Sequence, residues 1–204
     1  MKIALIVEGK TEQAFLPHLR TFLKTRLAGR MPKLDTVRCD GRIPKELKLK
    51  QLVECLLSSR KEPANAVIAL TDVYTGTNPP DFVDAADAKG KMRNWVGPNP
   101  AFHPHAAQYE FEAWLLPFWS EIQELAGHIK AAPKTSPEQV NHNSPPSRRI
   151  RDMFLAGHPR KYVKPRDAHR ILQGKDLLVA AQACPEFKAF LNTILTLCDA
   201  DPIP

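Results

Sequence analysis

Acidic side chains recur where apolar runs of this chain stop. Glu8 follows the run Lys2 to Val7 and opens the segment Glu8-Gly9-Lys10-Thr11-Glu12. Asp72 follows Ala66 to Leu70 after a single Thr71, and Glu110 and Glu112 follow Ala106-Ala107. Runs of this kind read as buried parallel strands. The carboxyl ends of such strands are where α/β sheets take their ligands. Carboxylate oxygens collected at one sheet edge suit a hard divalent cation, so the pattern predicts a Mg2+ or Mn2+ site.

The candidates differ in weight. A carboxylate directly after a buried strand has few structural uses, which favours Glu8 as a ligand. Glu12 stands four residues on, where an acidic side chain also suits the start of a helix, and that structural reading is preferred for it. Asp72 alone would read as a turn cap; its expected place beside Glu8, across neighbouring strands, shifts it toward the metal. Glu110 and Glu112 flank Phe111. They share a face in a strand and diverge in a helix, so a helical start leaves at most one of them as a ligand. His103 and His105 share a face if extended, but no third ligand supports zinc. G-x-S-x-G, a Walker A segment and G-x-G-x-x-G do not occur, which disfavours serine hydrolase chemistry and phosphate-loop nucleotide binding.

To position these groups the chain must alternate strands and helices. After the first strand, a helix is expected from about Thr11 to Leu27, with Phe15, Leu19, Phe22, Leu23 and Leu27 on one face. Leu34 to Cys39 reads as a second strand. Pro44 can open a second helix carrying Leu47, Leu52, Val53, Leu56 and Leu57. Val67 to Leu70 is the third strand, Phe82 to Trp95 a surface helix, and Phe102 to Gln108 a fourth strand whose Pro104 suggests an edge or an irregular entry. Tyr109 to Leu125 reads as a helix that Pro117 can kink. Ala131 to Pro146 is rich in Pro, Ser, Thr and Asn and reads as a flexible loop. From Ser147 onward the chain reads as helical. The expected architecture is one α/β domain with a mainly parallel sheet flanked by helices. Residues 1–128 form its core, and a helical part over 147–204 packs on it.

Composition fits that picture. The chain has 204 residues, enough for one sizeable core, and 29 Lys and Arg against 22 Asp and Glu give a formal net charge of +7. The excess favours a polyanionic partner such as nucleic acid. It concentrates in the first thirty residues, which include Lys10, and between Arg148 and Lys175. That later stretch holds Arg148, Arg149, Arg151, Arg160, Lys161, Lys164, Arg166 and Arg170 around Tyr162. Cations around an aromatic suit a phosphate-lined groove. Cys39, Cys55, Cys184 and Cys198 show no C-x-x-C spacing and read as reduced thiols of a cytoplasmic protein. No apolar run is long enough to cross a bilayer, and no targeting segment is expected before the first strand.

Val7-Glu8-Gly9-Lys10-Thr11-Glu12, the strand ending in Asp72-Val73-Tyr74, and Glu110-Phe111-Glu112-Ala113-Trp114-Leu115 resemble a bacterial Toprim-like family, domain of unknown function 4276. Tyr162-Val163-Lys164 and Cys184-Pro185-Glu186-Phe187 are similar to its later motifs. The resemblance implies the Toprim-like fold shared by topoisomerases, primases and the overcoming-lysogenization-defect nucleases. In those proteins a Glu after the first strand and a D-x-D after a later one form the site. Glu8 matches the first, Asp72 the first Asp of the second, and Tyr74 replaces the second Asp. The resemblance implies that Glu110 or Glu112 supplies the missing carboxylate, that Lys164 steadies charge developing on phosphorus, and that Tyr162 supports it. The expected activity is metal-dependent phosphodiester cleavage by a nuclease, with an ATPase partner in phage-defence or mobile gene clusters. The alternative is a non-catalytic, degenerate Toprim module that binds nucleic acid or an ATPase subunit.

Overall fold

The computed structural model describes residues 1–74, 76–77, 79–139, 144–157 and 160–204. β1 (Lys2–Val7) leads through α1 (Lys10–Arg26) to β2 (Lys33–Arg38), then through α2 (Glu46–Leu57) to β3 (Ala66–Asp72), then through α3 (Ala85–Val96) to β4 (Phe102–Ala107). All strand pairs are parallel, in the order β2-β1-β3-β4. Both faces of β1 are covered, which is why its sequence is apolar without alternation. Ile3, Leu5 and Val7 pack with Phe15, Leu19 and Leu23 of α1, while Ala4 and Ile6 pack with Leu49, Val53 and Met92 of α2 and α3. β4 is an edge strand, where the missing N–H of Pro104 is tolerated.

The order places a topological switch point between β1 and β3. The chain leaving β1 crosses to β2 on one side, and the chain leaving β3 crosses to β4 on the other. A crevice opens between such diverging connections, beyond the carboxyl ends of the two strands. Glu8 and Asp72 stand on its two sides.

Several boundaries differ from the sequence expectation. The first helix is capped from Gly9, two residues before Thr11, and its entry is held by Glu12, whose Oε2 accepts from the Gly9 N–H at 3.0 Å. α2 starts at Glu46 rather than Pro44. The expected helix over Phe82 to Trp95 begins at Ala85, because Asp84 is a better N-cap and accepts from the Asp87 N–H at 2.7 Å. Phe82 is instead buried against Ala85, Ala88 and Ala106.

The expected helix over Tyr109 to Leu125 is a 3-10 helix over Phe111–Phe118 followed by α4 (Trp119–Ala126). Pro117 has no N–H to return to the carbonyl of Ala113, which accepts from the Cys184 thiol at 3.8 Å. Of the stretch read as a flexible loop, 140–143 lie outside the described residues. Before them, Pro137–Gln139 forms a 3-10 turn whose Glu138 is buried. It accepts from Trp114 Nε1 at 3.0 Å and from the N–H groups of Glu186 and Phe187 at 3.0 and 3.3 Å. That part is pinned to the core.

The chain ends in α5 (Pro146–Gly157), α6 (Lys164–Leu172), α7 (Leu177–Ala183) and α8 (Pro185–Leu197). Their buried faces, including Phe154, Ile171, Phe187 and Phe190, join the same hydrophobic cluster as α1 and one face of the sheet. Among the described residues no helix is long and apolar enough to cross a membrane.

Candidate active site

The carboxylates flanking the switch point are held by backbone and hydroxyl donors. Glu8 Oε1 accepts from the Thr71 hydroxyl and, at 3.3 Å, from the Asp72 N–H. These bonds cross from β1 to β3. Asp72 Oδ1 in turn accepts from the Phe111 N–H at 2.9 Å, joining β3 to the start of the 3-10 helix. The turn before that helix is made by Tyr109, whose left-handed φ of +69° swings the chain from the sheet edge back over it. Glu8, Asp72 and Glu112 are thereby brought to one region from chain segments far apart in sequence.

The carboxylates act on one another electrostatically. Burial pushes the Glu8 carboxyl up to about 7, and the neighbouring charge of Glu12 adds to this. The Thr71 and Asp72 hydrogen bonds and Arg42 act against it. Asp72 is raised well above the usual carboxylate range by desolvation and then by Glu8, Glu12 and Glu112, with Lys164 opposing. Glu12 and Glu112 are raised too, first by burial, and Lys164 lowers both. These groups repel one another in a poorly solvated place, a condition that a cation relieves.

Lys164 is the cation that pairs with Glu112. It stands at the first turn of α6, with Nζ 3.0 Å from Glu112 Oε1 and 3.1 Å from Oε2, and 3.7 Å from Glu110 Oε1. Burial works against its charge, but Glu112, Glu110 and Asp72 outweigh that and raise its pKa. Glu112 is only 1% exposed. Tyr162 belongs to the same neighbourhood, its ionisation suppressed by burial and by the charges of Glu112, Asp167 and Glu110.

The two glutamates of the 110–112 segment have different surroundings. Glu110 Oε2 accepts from the Ser147 N–H and Oε1 from the Ser147 hydroxyl, both at 2.9 Å, so Glu110 caps the N-terminus of α5. Glu112 is the one turned toward Lys164 and Asp72. Glu12 has two roles at once: it holds the Gly9 N–H and adds charge beside Glu8 and Asp72.

The basic residues read as a phosphate surface divide as well. Arg160 Nη1 and Arg166 Nε lie 3.1 and 3.0 Å from oxygens of the fully buried Asp167, which also accepts from the Val163 N–H at 2.8 Å. These two arginines build the approach to α6. Lys10, Arg148 and Lys161 are exposed, and Arg149 is half-buried in α5. Of the two histidines, His105 is buried with Nε2 2.9 Å from Thr193 Oγ1, and burial pushes its pKa down to about 3.

Reasoning from the sequence did not single out Thr71, Ser147 or Asp167. Thr71 had a signal in hindsight: a hydroxyl between a buried strand and an acidic residue. Ser147 and Asp167 had none, because their partners lie 37 residues away for Ser147 and in a stretch dominated by cations for Asp167.

The donor set is all oxygen, as Mg2+ or Mn2+ requires. Among the described residues, no group of three or more His, Cys, Asp or Glu stands so as to hold one ion. Glu8 and Asp72 are the carboxylates that could hold a Mg2+ ion, which can bind through one or two carboxylates and keep several waters.

Comparison with solved structures finds the C-terminal region of the Burkholderia pseudomallei OLD protein at a TM-score of 0.55 and 11% identity, covering 96% of this chain and 98% of that one. The C-terminal region of the Xanthomonas campestris pv. campestris OLD protein matches at a TM-score of 0.45 and 12% identity, covering 94% and 96%. The four-stranded parallel sheet and the likeness to the Burkholderia structure make the fold α/β and Toprim-like. No curated protein matches the sequence. The model of the family described as "Domain of unknown function (DUF4276)" matches residues 7–195, and the chain belongs to that family.

Proposed function

We propose that the chain is a divalent-metal-dependent phosphodiesterase acting on nucleic acid, a nuclease. One observation carries this reading. Carboxylates from separate segments, the half-buried Glu8 and Asp72 and the fully buried Glu112, stand at the switch-point edge of the sheet, with Glu12 acting on Glu8 and Asp72 and Lys164 paired to Glu112. A fold gains no stability from such mutual repulsion, so the arrangement is better explained by chemistry.

Glu8 and Asp72 would hold Mg2+ or Mn2+. When bound, the ion polarises the phosphodiester and makes an attacking water more acidic. Glu8 would serve as ligand or, where Asp72 holds the ion, as the base that takes the water's proton, a task its raised pKa of about 7 suits. Thr71 and the Asp72 N–H orient it. Asp72 is fixed in turn by the Phe111 N–H. Lys164, steadied by Glu112, supplies positive charge where negative charge grows on the transferring phosphoryl group. Exposed cations, among them Lys10, Arg148 and Lys161, would hold the backbone of DNA or RNA.

The test is cleavage of single- and double-stranded DNA and RNA at low salt with Mn2+ or Mg2+, with and without a cognate ATPase. Glu8→Gln keeps the size and the acceptor oxygen but removes the charge, so it is expected to abolish cleavage. Cleavage that persists in this variant removes Glu8 from the mechanism. A second reading, a non-catalytic module that binds nucleic acid or an ATPase subunit, is favoured by Tyr74 at the place of the second Asp and by the incomplete direct ligand set among the described residues. Binding without cleavage under every metal would establish it.

A further inference from the structure

The switch-point carboxylates outnumber Lys164, and a phosphodiester arriving at Glu8 meets like charge unless other cations receive it. Two cations stand close by, outside the late basic segment. Arg42 and Lys45, on the connection between β2 and α2, line a narrow cleft with Glu8, Thr71, Asp81 and Phe82, and Arg42 lowers the pKa of Glu8. Both reach toward Asp81, on the connection between β3 and α3. Lys45 Nζ lies 2.6 Å from Asp81 Oδ1 and Arg42 Nη1 3.9 Å from Oδ2.

These pairs bridge two connections that leave the sheet on either side of β1, so they cross above Glu8. The side chain of Asp81 is 14% exposed, whereas Arg42 and Lys45 are 47% and 43% exposed. Two accessible cations thus close on a nearly buried anion, and the cleft beneath them leaves no room for a water molecule. The backbone on both sides is anchored. Ile43 and Phe82 are buried, and Lys91 Nζ donates to the Asp81 carbonyl at 2.9 Å. Opening the cleft therefore needs side chains to change partners, not loops to unfold.

A carboxylate and a phosphodiester each offer two oxygens sharing one negative charge, and Arg and Lys recognise both. We propose that Arg42 and Lys45 are a phosphate clamp that seats the substrate's phosphodiester beside Glu8, and that Asp81 fills this clamp as an internal competitor until substrate displaces it. The inference rests on the reading of nucleic acid as substrate. A partly exposed ion pair is weak, so a polyanion with contacts elsewhere can replace it.

The experiment measures binding apart from cleavage: anisotropy of short labelled DNA and RNA oligonucleotides, single- and double-stranded, in EDTA over a series of salt concentrations. Asp81→Asn keeps the side-chain size and removes the competing charge, and is expected to tighten binding roughly fivefold or more. Lys45→Met and Arg42→Met are expected to weaken binding roughly tenfold. Each should also reduce the slope of log K against log salt by about 0.7 on single strands, the loss of one phosphate contact. The DNA and RNA arms identify which polymer supplies the phosphate. If the wild-type chain binds and Asp81→Asn binds no tighter, the clamp-and-competitor proposal is overturned while the phosphodiesterase reading stands. If no variant, Asp81→Asn included, binds any oligonucleotide, both the proposal and nucleic acid as substrate fall.

Discussion

Glu8 is held as a half-buried acid among other acids, and this has a consequence for stability that can be measured without substrate. Its folded-state pKa of about 7 lies above the ordinary value of 4.5, so between these limits the native state binds more protons than the unfolded chain. Its contribution is fully present below about pH 4.5 and is lost as pH rises to 7. In EDTA, denaturant unfolding is therefore expected to show Glu8→Gln more stable than wild type at pH 8, by on the order of 3 kcal/mol, with the difference vanishing near pH 4.5. Equal stabilities at pH 8 would mean that Glu8 is better solvated than its position indicates. Glu8 and Asp72 were legible in the sequence because each ends a run apolar enough to be a strand covered on both faces. The division of labour between Glu110 and Glu112 was not. It depends on the left-handed turn at Tyr109 and on 3-10 winding, and neither leaves a periodic trace in Glu-Phe-Glu.

At the scale of elements, the approach to α6 is organised by Asp167. This buried carboxylate collects the Val163 N–H, Arg160 and Arg166, and the arginine hydrogen bonds hold its pKa low against the effect of burial. Asp167→Ala is expected to cost about 3 kcal/mol in thermal or denaturant unfolding, since it removes the acceptor that all three groups share. A change below about 0.5 kcal/mol would show that the arginines find water at no cost. From the sequence, Asp167 is one acid in a strongly basic stretch, and the arginines read as a phosphate surface. Charge runs indicate where cations are, but their partners are set by tertiary contacts. The parallel sheet was more accessible. Alternation of apolar runs with amphipathic helices leaves few arrangements, although the strand order itself was not read from the sequence. Helix starts were placed less well, because the caps at Gly9 and Asp84 competed with equally plausible neighbours.

Across the whole molecule, Lys164 joins the helical C-terminal part to the sheet. It is the group through which α6 meets Glu112 and Glu110, segments more than fifty residues earlier. Lys164→Ala leaves Glu112 buried without its cation, so the variant is expected to lose about 3 kcal/mol of stability, and Glu112→Gln in the same chain should restore most of it. In cleavage assays Lys164→Ala is expected to lower kcat more than it raises Kd for the oligonucleotide, because a group acting on transition-state charge changes the chemical step. An equal effect on both would make Lys164 a binding residue only.

The same bridge bears on how the chain matures during synthesis. β1 to β4 contribute Glu8 and Asp72, and the segment after them adds Glu110 and Glu112, all before residue 164 leaves the ribosome. Until α6 docks, a nascent sheet would present these acids without Lys164, the partner of Glu112 and Glu110, and their repulsion grows as they ionise at neutral pH. The half-made domain should therefore be the fragile stage of biogenesis, with its apolar face still awaiting Phe154, Ile171 and Phe187.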